Sequence, residues 1–191
     1  MKIVPGQVFE SDGIRLMILS HNHLADKILA SAKLPVSTVE IGANIPVDSA
    51  VTQAALHNII FNIAKSLAPE LLIKPAMEIS AKLGFGPAQW RISKARKRAL
   101  GTCSSRRVIS FSPLLVFASR ELREYIACHE LAHLTYFNHS RDFHALCNRY
   151  CMEITGKPEA YFKSRMKTIF RDKDSLVYSL AASPFPAGRN R

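Results

Sequence analysis

The apolar positions of this chain follow a strand-like pattern near the N-terminus and a helical one from residue 48 onward. Gly13-Ile14-Arg15-Leu16-Met17-Ile18-Leu19, after the turn-like Ser11-Asp12, predicts a strand. Its apolar residues run almost without a break, a pattern that a buried helical turn also produces. Val36-Ser37-Thr38-Val39-Glu40-Ile41 is rich in β-branched residues and predicts a second strand. Residues 1–47 therefore read as a β-rich N-terminal region. From Asp48, a candidate N-cap, Leu56, Ile59, Ile60, Ile63 and Leu67 recur at helical spacing as far as Pro69. A second helix is expected from Pro69 to Leu83, kinked or cut short at Pro75 and stopped by Gly84 and Gly86.

Beyond these helices the pattern changes again. Gln89 to Ser93 reads as a strand with Trp90 and Ile92 on one face, and Val108 to Phe111 as another. Ser119 or a neighbour is expected to cap a helix whose positive end carries Glu121 and Glu124. Ser140 caps the next, with Phe143, Leu146, Tyr150 and Ile154 facing the core and Gly156 ending it. Pro158 opens a last helix to about Phe170, and residues 172–191 read as a disordered basic tail. The sum is an α+β fold without internal repeats.

Composition narrows the class. With 191 residues, 48% of them hydrophobic, the chain suits one globular domain. It has no apolar run of membrane-spanning length and no signal-peptide pattern, so a cytoplasmic protein is expected. The four cysteines lie in helix and turn contexts rather than a disulfide framework. Cys147 and Cys151, at i and i+4, read as buried packing residues, although that spacing also permits metal binding. His21 and His23 read as surface residues and His57 as a structural one.

The net charge is +11. Part of the excess gathers in Arg91, Lys94, Arg96, Lys97, Arg98, Arg106 and Arg107, around the two strands that precede the Ser119 helix. Such charges protect exposed strand edges, and they also make a surface that steers an acidic or nucleic-acid-bound substrate.

The chemistry concentrates in Cys128-His129-Glu130-Leu131-Ala132-His133-Leu134-Thr135-Tyr136-Phe137-Asn138-His139. On a helix, His129 and His133 stack on one face and can offer two imidazoles to a single ion. Glu130 flanks that ion and can take a proton from its water, the general-base role in H-E-x-x-H metalloproteases. His139 is expected to follow a helix end at Asn138 and to supply the third ligand, leaving one position open. Tyr125, Ile126, Leu131, Ala132 and Leu134 frame the polar residues with apolar ones, where unsatisfied histidines would be costly.

Several motifs in order carry a resemblance. Gly101-Thr102-Cys103-Ser104-Ser105, Val108-Ile109-Ser110-Phe111, His129-Glu130-Leu131-Ala132-His133 and Asn138-His139-Ser140-Arg141-Asp142-Phe143 resemble the turn, strand, helix and following loop of the YgjP-like metal-dependent hydrolases. These are relatives of the SprT and WLM zincin metallopeptidases. The resemblance runs from about Trp90 to Tyr150 and implies a zincin-like domain, taken as residues 48–171, with a short sheet packed on the H-E-x-x-H helix. It implies one zinc ion, peptide or protein substrates, and a strand whose free edge receives an extended peptide. Two positions depart from the family pattern: Ala99-Leu100 stand where it has Arg-Trp, and His144 where it has Trp. His144 thereby competes with His139 as third ligand, with His139 favoured by its spacing and family position. Tyr136 and His144 are both candidates to stabilise an oxyanion. The leading expectation is a zinc metallopeptidase. Its alternatives are a SprT-like nucleic-acid-associated protease and a non-catalytic, zinc-stabilised binding module.

Overall fold

Two small sheets and a set of helices share one core in the computed structural model, which describes residues 1–86, 88–94, 99–169, 172 and 175–182. The first sheet contains β1 (Val8–Ser11), β2 (Ile14–His21), β3 (Ile28–Ser31) and β4 (Val36–Gly42), in the order β1-β2-β4-β3. β2 and β4 are parallel, and the two outer strands pair antiparallel to them. The unbroken apolar run of β2 still obeys a period of two in space. Ile14, Leu16 and Ile18 are buried and their neighbours are not. β1 and β3 were not legible in the sequence because they leave apolar residues outside: Val8 is 43% and Leu29 49% exposed.

Helix α1 (Ala50–Ala68) starts at Ser49, whose hydroxyl accepts the Thr52 N–H at 3.0 Å. Asp48, the expected cap, instead pairs with Lys2. A π-helical turn (Pro69–Ile73) leads directly into α2 (Lys74–Lys82). Pro75 thus stands in the first turn of α2, directly after the π-helical turn, in which the Lys74 N–H donates to the Pro69 carbonyl. The wide turn absorbs what sequence alone reads as a break.

The second sheet comprises β5 (Gln89–Ile92), β6 (Gly101–Cys103) and β7 (Val108–Phe111), in the order β5-β7-β6. Gly101-Thr102-Cys103, expected as a turn, is a strand antiparallel to β7. The turn lies just beyond it, closed by Arg107 N–H donating to the Ser104 carbonyl at 2.9 Å. β5 and β7 are consequently parallel neighbours rather than a hairpin. Trp90 stacks on Phe111 across them.

Ser119 caps α3 (Arg120–Ala132) through the Leu122 N–H, as expected. The helix ends well before Asn138, and His133 occupies its C-cap position. Ser140 caps α4 (Arg141–Thr155), which closes on Gly156 at φ +69, a left-handed conformation that glycine adopts without strain. α5 (Glu159–Ile169) follows. The expected disordered tail contains α6 (Leu176–Ala182), with Leu176, Val177 and Leu180 buried. Ser179 Oγ lies 2.9 Å from His57 Nε2, while His57 Nδ1 lies 2.7 Å from the Gln53 carbonyl. That pairing ties α6 to α1 and accounts for His57. Residues 183–191 lie outside the described residues. Among those described, no helix is long and apolar enough to cross a membrane.

Candidate metal centre and active site

The site is built from the end of α3, the loop after it and the first turn of α4. His129 and His133 lie one helical turn apart with ring centroids 4.9 Å from each other. His139 returns from the loop to stand 5.2 Å from the first ring and 4.7 Å from the second. Phe143 is fully buried and forms a common wall behind the three rings. It meets His129 and His139 edge-on and stacks on His133 at 4.4 Å. A bulky ring wedged against all three removes most of their rotational freedom before any ligand arrives.

His129 Nε2 and His139 Nε2 face each other at 3.2 Å. Two nitrogens bound to one tetrahedral zinc at about 2.0–2.1 Å each stand about 3.3 Å apart. One ligand atom from each of the three histidines lies within 4.8 Å of the others. His133 Nδ1 is 2.9 Å from the Tyr136 carbonyl, so this nitrogen carries the proton it donates there. The bond leaves Nε2 as the free electron pair, the usual way a ligating histidine is oriented. Burial, with the neighbouring His133 and His139, pushes His129 down to about 3. Burial, with His133 and His144, also lowers His139. Both imidazoles are thus held neutral, the form that binds a metal.

Glu130 is 4% exposed, and burial raises its carboxyl to about 8. Among the described residues, its Oε2 and His129 Nδ1 have no hydrogen-bond partner. A buried carboxyl oxygen left in this way, next in sequence to the first of three converging neutral imidazoles, is costly in a bare protein. A divalent cation would relieve that cost, and three nitrogen donors with a neighbouring carboxylate suit an ion of the zinc type.

A family model described as YgjP-like, metallopeptidase domain, matches residues 5–158. The chain belongs to the YgjP-like family. No curated protein and no solved structure matches it. The matched span runs from the start of the first sheet through α4, so the YgjP-like domain includes the β-rich N-terminal region as well as the histidines.

Within this YgjP-like domain the other expected site residues fall into three groups. His144 stacks on His139 with ring centroids 6.0 Å apart but is engaged elsewhere: its Nδ1 lies 3.1 Å from Glu159 Oε1 and 3.1 Å from Lys163 Nζ. Tyr136 brings its main-chain carbonyl to His133, while the residue as a whole is 36% exposed. Arg91, Lys94, Arg106 and Arg107 are exposed around β5 and the turn before β7. Arg96, Lys97 and Arg98 lie outside the described residues.

Two participants escaped sequence reading. Glu159 is 5% exposed and sits at the head of α5, where it pairs with His144 and Lys163. Its carboxylate, one His129 nitrogen and Cys147 Sγ also lie within 4.8 Å of one another. Cys151 beside it and burial push the Cys147 thiol up, so it stays protonated and packs as an apolar group. Gly101 is the second. A Cβ there would stand 2.5 Å from Glu130 Oε1, so only glycine lets β6 pass this close to the carboxyl. The Gly-Thr-Cys motif marked the position, and only the packing of β6 on α3 gives its reason.

Proposed function

We propose that this chain is a zinc-dependent metallopeptidase in which His129, His133 and His139 hold one ion and Glu130 is the general base. The 3.2 Å approach of His129 Nε2 to His139 Nε2, together with a buried Glu130 Oε2 that has no partner among the described residues, carries the reading. When bound, zinc supplies a Lewis acid for the scissile carbonyl and acidifies water. Glu130 accepts a proton from the attacking water at its free oxygen and delivers it to the leaving amine.

Substrate is recognised through main chain. Leu100 and Ser104 bond to Ser112 and Val108 on β7, so the alternate residues Gly101 and Cys103 turn their N–H and C=O groups to the free edge of β6. An extended peptide added there runs beside Glu130. The buried Glu130 favours catalysis over a zinc-stabilised binding module, because a module has no use for an unpartnered carboxylate at the ion.

The test is Glu130→Gln. It should retain one zinc per chain and lose peptide turnover by about a thousandfold or more. Undiminished turnover in that variant would overturn the assignment.

A further inference from the structure

Beside the catalytic carboxylate lies a cavity of about 350 Å³. His129 and Glu130 form one end, and Leu100, Tyr125, Ile126 and Met166 supply apolar wall. Leu100, Tyr125 and Ile126 are each no more than 6% exposed, which makes the wall part of the core rather than a surface dent. Ala99 and Leu100, the pair that departs from the family pattern, both border it. Gly101 borders it too, so the edge that would receive a peptide main chain opens onto this space.

Two lysines of α5, Lys163 and Lys167, also line the cavity and are exposed at its mouth. They lie one helical turn apart and so share a face. Lys163 is partly neutralised, 3.1 Å from Glu159 Oε1. Lys167 has no ion-pair partner among the described residues. Glu130 is the sole acid among the lining residues, and it stands at the catalytic end.

We infer that this cavity is the substrate's side-chain pocket, taking a large apolar side chain next to the scissile bond and a neighbouring carboxylate at Lys167. This rests on the peptidase reading above. The volume is that of a small ligand site and admits a leucine or phenylalanine side chain. A chain paired on β6 sends alternate side chains to the same face, and the one beside Gly101 enters the pocket. The carboxylate belongs to an acidic residue or to the end of the substrate chain, since Lys167 meets the same group in both.

The test uses the zinc-loaded full chain and labelled alanine-background octapeptides carrying one Phe or none. Glu or Gln stands beside the Phe, and the C-terminus is free or amidated. Affinity is read by anisotropy on Glu130→Gln, and cleavage on the wild type. Phe peptides should bind at least about tenfold tighter than all-alanine ones. A carboxylate should add roughly three- to fivefold. Whether Glu or the free terminus carries that gain identifies its source.

Lys167→Gln should erase the carboxylate gain and keep the preference for Phe. Met166→Trp, which fills the cavity, should erase the preference for Phe. Equal binding of Phe and alanine peptides would overturn the pocket while cleavage left the peptidase reading standing. A carboxylate gain unchanged in Lys167→Gln would overturn the role of Lys167. Neither binding nor cleavage of any peptide by the zinc-loaded chain would remove both.

Discussion

A methyl group on Gly101 would come within 2.5 Å of Glu130 Oε1 and 2.8 Å of its Cγ. The strand edge and the Glu130 side chain are therefore closely packed, with no room for a Cβ between them. Gly101→Ala should push the carboxyl aside while leaving the histidines untouched. We expect roughly a hundredfold loss of kcat, the scale of a 1 Å misplacement of a reacting group. Zinc content should stay at one per chain and the far-UV circular dichroism should match wild type. Equal turnover by Gly101→Ala would separate the strand from the chemistry.

Metal retention distinguishes the two histidines that compete in the sequence. His139 faces His129 at 3.2 Å, whereas His144 is engaged by Glu159 and Lys163. His139→Ala should weaken zinc binding by roughly a hundredfold or more, and His144→Ala should retain the ion. Competition against a chromophoric chelator gives both affinities. Zinc lost with His144 and kept without His139 would reverse the assignment.

The metal-free protein should show a distinctive dependence of stability on pH. Burial raises Glu130 from 4.5 to about 8, so the native state keeps a proton that the unfolded chain releases across that window. Its contribution to stability therefore falls as pH rises from 4.5 through 8. His129 is lowered from 6.5 to about 3, so the unfolded chain takes up a proton that the native state does not. His139 shifts in the same direction, and both oppose folding progressively below pH 6.5. Between pH 6.5 and 8 Glu130 alone of the three acts. Denaturation of the metal-free wild type should give falling stability across that interval, and Glu130→Gln should flatten it. Parallel slopes for the two proteins would contradict the burial of a protonated Glu130.

Leu180 tests whether α6 is part of the folded domain. The side chain is fully buried, and the neighbouring Ser179 meets His57. Leu180→Ala should destabilise the protein by about 2–5 kcal/mol, the cost of a large-to-small change in a core. A loss of less than about 0.5 kcal/mol, the scale of a surface substitution, would mean that α6 contributes little to the core. Urea denaturation of the metal-loaded protein is the measurement.

Local order was legible where it depends on near neighbours. The caps Ser119 and Ser140, the stop at Gly156, the strands β4, β5 and β7 and the stripe of α4 all follow from a side chain acting on its own backbone or from periodicity within one element. Asp48 is not the cap because the helix begins one residue later, where Ser49 accepts the Thr52 N–H, and Asp48 pairs with Lys2 at the surface. Leu176–Ala182, within the expected tail, are helical because their apolar residues find a core that their own stretch of sequence does not contain.

The candidate site divides in the same way. His129 and His133 share a helix face by the geometry of the α-helix, Glu130 flanks that face, and their chemistry could be read from spacing alone. The approach of His139 depends on α3 ending at Ala132, on a turn in which the Tyr136 carbonyl holds His133, and on Phe143 behind all three rings. The glycine at 101, the Glu159 pairing and the pocket under Lys167 belong wholly to tertiary structure. Each joins residues from different elements, and a side chain's sequence neighbours carry no record of which distant backbone or charge will fold against it.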